Sequence, residues 1–190
     1  APHVDAVPLV LTIAAGVRCD DLARWLGGYR RIVRAMPNTP ALVGAGITAL
    51  YAMPEARDVA GSAAQVLEAC GEILWFERER DLDAVTAVSG SGPAYVFYFL
   101  EALEQAAIEL GLAPAEARRL AYATFDGSVR LARESGDPPA TLRANVTSKD
   151  GTTARAVAVL DAKNVGSHFI AAVKAAAARA AELGDEHSND

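Results

Sequence analysis

Cysteines and basic residues are both scarce in this sequence. Its two cysteines, Cys19 and Cys70, lie far apart, without the CxxC spacing of a metal or redox site or the density of a disulfide scaffold. A formal net charge of −6 leaves no broad basic surface for a phosphate backbone, so we expect no nucleic-acid partner. The composition favours a globular protein of a reducing compartment, and we expect a cytoplasmic location.

Long apolar runs and metal-ligand clusters are missing as well. The opening residues 1–16 are apolar but too short to cross a bilayer and carry no cationic leader, so we expect no membrane partner. No histidine has a second ligand at metal spacing, and we expect no metal site. Acidic residues between Glu77 and Asp83 alternate with arginines, a pattern that predicts a solvated, self-neutralising stretch.

What the sequence does have is 52% hydrophobic residues in two successive patterns. In the first, short apolar runs alternate with helical spacing, which predicts a parallel sheet with crossover helices. We predict strands at residues 9–14 (in an apolar run that starts at Val7), 31–35, 47–51 and 73–76, and helices at 20–26 and 56–70.

After about Glu79 the strand signals stop and alanine-rich helical patterns take over. We therefore predict two domains, residues 1–79 and 80–190, in a fold that is α/β and then all-α. The glycines Gly111, Gly136, Gly151 and Gly184 punctuate the helix ends. The predicted helices span residues 94–110, 114–134, 139–146, 152–162 and 167–183.

The predicted helix 94–110 is apolar on nearly every side. A small domain buries only part of its surface, so an interlocked helical dimer is the economical explanation. The alternative is the central helix of a monomeric bundle.

Two glycine-containing segments do not predict a site by themselves. Gly44, Gly46 and Ala49 match the spacing G-x-G-x-x-A, but a strand follows them instead of a helix, so we predict a turn. The segment S-G-S-G-P at residues 89–93 fits an N-cap loop with Ser91 as the cap, and it lacks the spacing of a serine nucleophile.

Residues 145–153 are polar, form turns and stand directly before an amphipathic helix. Free amides of Gly151, Thr152 and Thr153, with the hydroxyls of Ser148 and Thr153, would suit a carboxylate at the helix amino terminus. A plain capping motif uses the same residues, and both interpretations stay open.

The loop M-P-N-T-P at residues 36–40 follows a predicted strand. Ligands bind at the carboxyl ends of strands in α/β sheets, so the loop is a candidate ligand contact. The alternative is a structural loop in which Asn38 and Thr39 bond their own backbone.

Four segments agree in order and spacing with one family: A-A-G at residues 14–16, R-A-M-P-N-T-P at 34–40, D-A-V-T-A-V-S-G-S-G-P-A-Y at 83–95, and V-T-S followed by G-T-T at 146–153. They resemble pyrroline-5-carboxylate reductase. The resemblance implies the carboxyl-terminal part of a Rossmann-type parallel sheet, then a helical dimerisation domain. It also implies reduction of 1-pyrroline-5-carboxylate to L-proline, with NADP(H) or NAD(H) as cofactor, in a homodimer that can extend to larger rings.

The same resemblance assigns roles to individual residues. Ser148 and Thr153 would be catalytic, with the Thr153 hydroxyl on the ring nitrogen, and Ser148, Gly151, Thr152, Thr153 and Glu79 would bind the substrate. Met36 and Thr39 would shape the adjacent pocket. The cofactor-binding residues would be Ile13, Ala14, Ala15, Ala35, Asn38, Asn145 and Glu79.

Two departures from the family pattern lead to expectations of their own. The glycine fingerprint loop after the first strand is absent, and we expect a chain without it to be inactive by itself. Asp150 stands where the family usually has glycine, close to an anionic substrate, and we expect it to weaken substrate binding.

Two other functions are open. A related reductase that joins a Rossmann domain to a helical domain would act on hydroxy acids or ketoacids, but such enzymes place a lysine on the central helix and residues 94–110 contain none. The other is a non-catalytic dimerisation fragment.

Overall fold

The computed structural model describes residues 9–188. The apolar residues 7 and 8, which precede the first predicted strand, and His3 lie outside that range. Contacts divide the chain into two compact units, one of residues up to Pro93 together with those from Ala171 onward, the other of Ala94–Ile170. The predicted order, α/β and then all-α, is confirmed. The predicted domain division after Glu79 stays a prediction.

The first unit is built on a four-stranded sheet with helices on both faces. The strands lie in chain order across the sheet. The predicted strands are confirmed with slightly shifted ends, and the predicted helix 56–70 is shorter because residues 54–56 form a 3-10 turn. The elements are β1 (Val10–Thr12), α1 (Cys19–Trp25), β2 (Ile32–Met36), β3 (Gly46–Ala52), α2 (Ala60–Glu68), β4 (Gly71–Trp75) and α3 (Asp81–Val85).

The sheet is mixed, whereas the sequence predicts parallel strands. β1 pairs with β2 and β3 with β4 in parallel, but β2 and β3 are antiparallel. Only residues 37–45 connect β2 to β3, and a parallel crossover needs about a dozen residues or more. The connection instead turns through a 3-10 segment, Thr39–Val43, that ends at Gly44 in the left-handed region with φ 71°. The prediction of a turn at Gly44 is confirmed.

Side-chain alternation along β2 divides the core of this unit in two. Val33 and Ala35 pack with Leu50 and with alanines of α2. Ile32 points to the other face, where it packs with Cys19 and Ala23 of α1. Arg34 shares that second face by alternation and is buried.

The second unit lies within a run of five helices whose ends agree closely with the predicted ones. Gly111 and Gly136 have positive φ and follow the ends of α4 and α5, as predicted. Rings of α4 and α8 pack edge to face, with Tyr95 and Phe99 each 5.6 Å from Phe169. The helices are α4 (Gly92–Glu109), α5 (Pro114–Ser135), α6 (Pro139–Asn145), α7 (Thr152–Ala162) and α8 (Val165–Ser188).

Two predicted helix ends are wrong. Ser91 does not cap α4, because its backbone is right-handed helical and its amide donates to the Thr86 oxygen at 2.8 Å, which continues a π-helical turn that follows α3. α8 does not stop before Gly184. Gly184 is buried beneath the Arg18 side chain, and this tertiary contact outweighs the low helix propensity of glycine.

Almost all side chains in Ala94–Ile170 are exposed or half-buried in the single chain. Only Ala117 and Ala121 are buried there, and α4 buries none of its residues. Phe97 and Tyr98 of α4 are 62% and 68% exposed. Large exposed apolar surfaces mark interaction sites.

Within residues 9–188 no single helix is long and apolar enough to span a membrane, and only the bent pair α7 and α8 passes such a test on length and composition. The same residues contain no group of three His, Cys, Asp or Glu side chains that could hold a metal ion.

Candidate functional site

The residues predicted to contact nicotinamide follow the carboxyl end of β1. Ile13, Ala14 and Ala15 follow β1 directly and are exposed. Because β1 and β2 are parallel, the loop that starts at Pro37 leaves the sheet at the same carboxyl ends of the strands. In α/β sheets, ligands bind at these ends. Two of the three side chains are alanine, so a flat ring can approach the backbone. Their contact with a nicotinamide ring stays a prediction.

Ala35 differs from the other predicted cofactor residues. The whole residue is 1% exposed, and its side chain belongs to the core between the sheet and α2. Its contact with the nicotinamide stays a prediction.

Asn38 joins the loop after β2 to two other segments. Its side-chain oxygen accepts a hydrogen bond from the Ile47 amide at 3.0 Å, and its nitrogen donates to the Ser89 hydroxyl at 3.2 Å. A Cβ at Gly90 would lie 2.6 Å from the Met36 methyl. Glycine therefore lets the segment that contains Ser89 pack closely against the end of β2. Asn38 does not cap its own loop, and its predicted cofactor contact would use the hydrogen-bonding capacity that remains.

Glu79 is held by two donors on the first unit. Its Oε1 accepts from the Cys19 amide at 2.7 Å and from Arg34 Nη1 at 3.1 Å. Its side chain is only 18% exposed, as is that of Asp83, whose Oδ1 lies 3.8 Å from Arg34 Nη2. The prediction of a solvated stretch is therefore wrong for these two carboxylates.

Arg34 is the residue that sequence reasoning missed. Its side chain is 3% exposed and faces both carboxylates, which supply the counter-charge that a buried guanidinium requires. An arginine inside the otherwise apolar strand I-V-R-A was the signal that could have found it. Burial raises the pKa of Asp83, while the charges of Arg34 and Arg18 act in the opposite direction.

A cavity of about 480 Å³ opens beside this ionic cluster. It shows that Glu79, although mostly covered, borders space that a small polar group can enter. The lining residues are Arg18, Arg34, Arg78, Glu79, Arg80 and Asp83.

The second unit contains the predicted carboxylate site at the start of α7. Gly151 is the N-cap residue, and no side chain among residues 9–188 caps the helix. Asp150 has φ 58°, the left-handed geometry in which glycine is usual. A Cβ on Gly151 would overlap the Ser148 hydroxyl oxygen, so glycine keeps that hydroxyl against the helix start. The missing side-chain cap favours the anion interpretation over the capping motif.

The amides at this helix start are only partly as predicted. The Gly151 amide donates to the Ser148 carbonyl at 3.1 Å and is not free, because residues 148–151 form a tight turn. The first helical bond runs from Arg155 to the Gly151 carbonyl, so the amides of Thr152 and Thr153 have no acceptor in the described part of the chain. Two predicted amide donors therefore remain, beside two hydroxyls.

Asn145 ends α6 in the same unit as Ser148 and Thr153 and is exposed. Glu79 and the residues after β1 belong to the other unit. The predicted meeting of these two groups around one substrate stays a prediction.

Comparisons with known proteins point to one family. A family model described as pyrroline-5-carboxylate reductase dimerisation matches residues 79–183. A pyrroline-5-carboxylate reductase from Pseudomonas aeruginosa is 42% identical over 187 residues, with 98% of this chain and 68% of the relative covered. One from Escherichia coli is 43% identical over 167 residues, with 87% and 61% covered. The chain thus spans about two thirds of the length of these relatives.

Solved structures agree. A pyrroline-5-carboxylate reductase from Coxiella burnetii has a TM-score of 0.85 at 43% identity, over 92% of this chain and 65% of that one. A pyrroline carboxylate reductase from Plasmodium falciparum, solved with NADP bound, has a TM-score of 0.89 at 31% identity, over 96% and 73% of the two chains.

Proposed function

Because the chain belongs to the pyrroline-5-carboxylate reductase family, we propose that the protein reduces 1-pyrroline-5-carboxylate to L-proline, the last step of proline biosynthesis. We propose NADPH or NADH as the reductant. The observation that carries the proposal is the helix start at Thr152, which has open amides and hydroxyls but no side-chain cap. This arrangement suits the acid group of a small imino acid.

In this proposal the second unit binds and orients the substrate. The amides of Thr152 and Thr153 and the Ser148 hydroxyl donate to the substrate carboxylate, and the positive end of the α7 dipole adds to the attraction. The Thr153 hydroxyl bonds the ring nitrogen and fixes the orientation of the ring. Gly151 contributes by its lack of a side chain, since any Cβ would displace Ser148.

The first unit supplies the face against which the ring is reduced. Ile13, Ala14 and Ala15 would hold the nicotinamide, with Asn38, Asn145, Glu79 and Ala35 nearby. When bound, the reduced nicotinamide supplies hydride. A protonated ring nitrogen already makes the neighbouring carbon electrophilic, so no separate acid is needed. Placement alone is able to lower the barrier by about 7–11 kcal/mol.

We also propose that the protein works as a homodimer through the helical unit, with larger rings as a further step. The apolar surface of α4 and α5 supports this, because Phe97, Tyr98 and Leu120 are mostly exposed in the single chain. A cytoplasmic location fits the two free cysteines and stays a prediction.

The test is hydride transfer by the intact enzyme that contains this chain. Nicotinamide oxidation with 1-pyrroline-5-carboxylate and the appearance of proline would be measured for the wild type, Thr153→Val and Thr141→Val. The last is the matched control, since Thr141 is an exposed threonine of α6 with no proposed role.

We expect a loss of kcat/KM of about tenfold or more in Thr153→Val, because one hydrogen bond to a charged group is removed, and little change in Thr141→Val. Absence of proline formation by the wild type would refute the function. Equal effects of the two substitutions would refute the role of Thr153.

A further inference from the structure

The last turns of α8 contact the segment that follows the candidate nicotinamide wall. Arg18 Nη2 lies 2.6 Å from Asp185 Oδ1 and 3.5 Å from the Ala181 carbonyl oxygen. Arg18 is the N-cap residue of α1 and comes directly after the loop that leaves β1. α8 therefore contacts the far end of this loop.

Two glycines let the helix and the loop approach each other. Gly16 has φ 77°, and a Cβ there would lie 3.1 Å from the Leu183 Cβ. A Cβ at Gly184 would lie 2.9 Å from Arg18 Nε and 3.0 Å from Nη2, so the guanidinium occupies the space that a side chain would need there. Residues 13–15 are thus anchored on one side by β1 and on the other by Gly16 and Arg18.

We propose that Arg18 and Asp185 are positioning residues for the reductant: their ion pair, seated on Gly184, holds residues 13–15 in the geometry that receives the nicotinamide ring. This inference rests on the proposed function, which assigns the wall to residues 13–15. The residues act through the backbone of the loop and need not touch the cofactor. A cation near the carboxyl end of a helix is also favoured by the helix dipole.

Three variants of the intact enzyme separate the geometry of the pair from its charge. Asp185→Asn removes the charge, whereas Gly184→Ala displaces the guanidinium without changing any charge and raises helix propensity. Asp58→Asn is the matched control. It breaks another surface pair, with Arg31 at 2.9 Å, and the exposure of Asp58 (66%) is close to that of Asp185 (70%).

The readouts are hydrogen exchange of a peptide that covers residues 10–18 without cofactor, the Kd of NADPH by fluorescence titration, and kcat at saturating NADPH. We expect Asp185→Asn and Gly184→Ala to speed exchange and weaken NADPH binding about two- to fivefold, with kcat unchanged, as the small strength of exposed ion pairs allows. Asp58→Asn should match the wild type. Gly184→Ala should show these effects without a lower melting temperature. A merely structural role of the pair would not produce that combination.

The proposal would be overturned if both variants bound NADPH as tightly as Asp58→Asn and exchanged hydrogen as slowly. So would faster exchange with unchanged NADPH affinity, since the pair would then be structural only, or weaker affinity with unchanged exchange. None of these readouts except kcat requires turnover. A wild type that binds NADPH but makes no proline would therefore refute the proposed reaction and leave the positioning role to be decided by exchange and affinity.

Discussion

Replacing Arg34 by methionine should destabilise the first unit strongly, because it leaves two mostly covered carboxylates without their cation. Arg34 Nη1 is 3.1 Å from Glu79 and Nη2 is 3.8 Å from Asp83, and its side chain is 3% exposed. Removal of one partner from a buried ionic cluster costs about 3–5 kcal/mol. Glu79 keeps its bond from the Cys19 amide, so we expect about 3 kcal/mol, the lower end of that range, or more than about a hundredfold in the unfolding equilibrium.

The loss should depend on pH with a defined sign. Without Arg34, the burial of Asp83 loses a charge that opposes it, so the pKa of that carboxyl rises further above its value in the unfolded chain. Burial already raises the pKa of Asp83 in the wild type. A carboxyl group with a raised folded-state pKa is stabilising below its unfolded pKa, near 4, and that contribution is lost as the pH rises through the folded pKa. The deficit of the variant should therefore be small near pH 4 and grow towards pH 7.

Urea unfolding of the intact enzyme at one fixed protein concentration would measure the effect across this pH range. Arg57→Met is the control, because Arg57 is 63% exposed and 3.8 Å from Glu77, and such surface pairs contribute at most about 1 kcal/mol. The reasoning about Arg34 fails if its replacement costs no more than that of Arg57, or if the deficit is constant between pH 4 and pH 7.

Three shorter predictions concern the carboxylate site and the Cys19 thiol. Asp150→Gly should lower KM for the imino acid up to about fivefold, since it removes about 1 kcal/mol of repulsion. The φ of 58° at this position suits glycine. An unchanged KM, or an equal effect of Asp161→Asn at the other end of α7, would argue against this prediction. Gly151→Ala should raise that KM about tenfold or more through overpacking against Ser148, whereas Gly166→Ala, which has open space, should not; steady-state kinetics would decide. In peptide mapping after iodoacetamide treatment at pH 8, native Cys19 should stay unmodified, because burial and the Glu79 charge raise its pKa, and should react after denaturation; rapid labelling of the native thiol would contradict this.

The sequence was most informative where local chemistry decides the structure. α7 begins at Thr152, as predicted, because a polar turn and Gly151 leave no continuation of α6. The glycines after α4 and α5 supply positive φ where these helices end. The resemblance to a family located the same segments and named their roles, which spacing alone left undecided between anion site and cap.

Prediction failed where distant segments decide. Arg34 is buried by partners on α3 and just before it, and α8 continues past Gly184 because Arg18 covers that glycine. The arginine within the apolar strand I-V-R-A signals a buried charge, but no short window identifies the partners in either contact, since both contacts join segments far apart in the chain. The antiparallel pairing of β2 and β3 is different. The short connection of residues 37–45 excludes a parallel crossover, so connection length predicts the antiparallel pairing where strand propensity does not.

The stability of the helical unit depends on more than its own buried side chains. Within Ala94–Ile170 only Ala117 and Ala121 are buried and the other side chains are half-buried or exposed, so a single copy covers too little apolar area to offset the entropy of ordering the helices. The missing burial has to come from the association that we propose. Folding of this unit and dimerisation are then one equilibrium, and its stability should rise with protein concentration. Substitutions on α4 or α5 therefore have to be compared at equal concentration, because a weaker interface and a weaker helix would otherwise give the same melting curve.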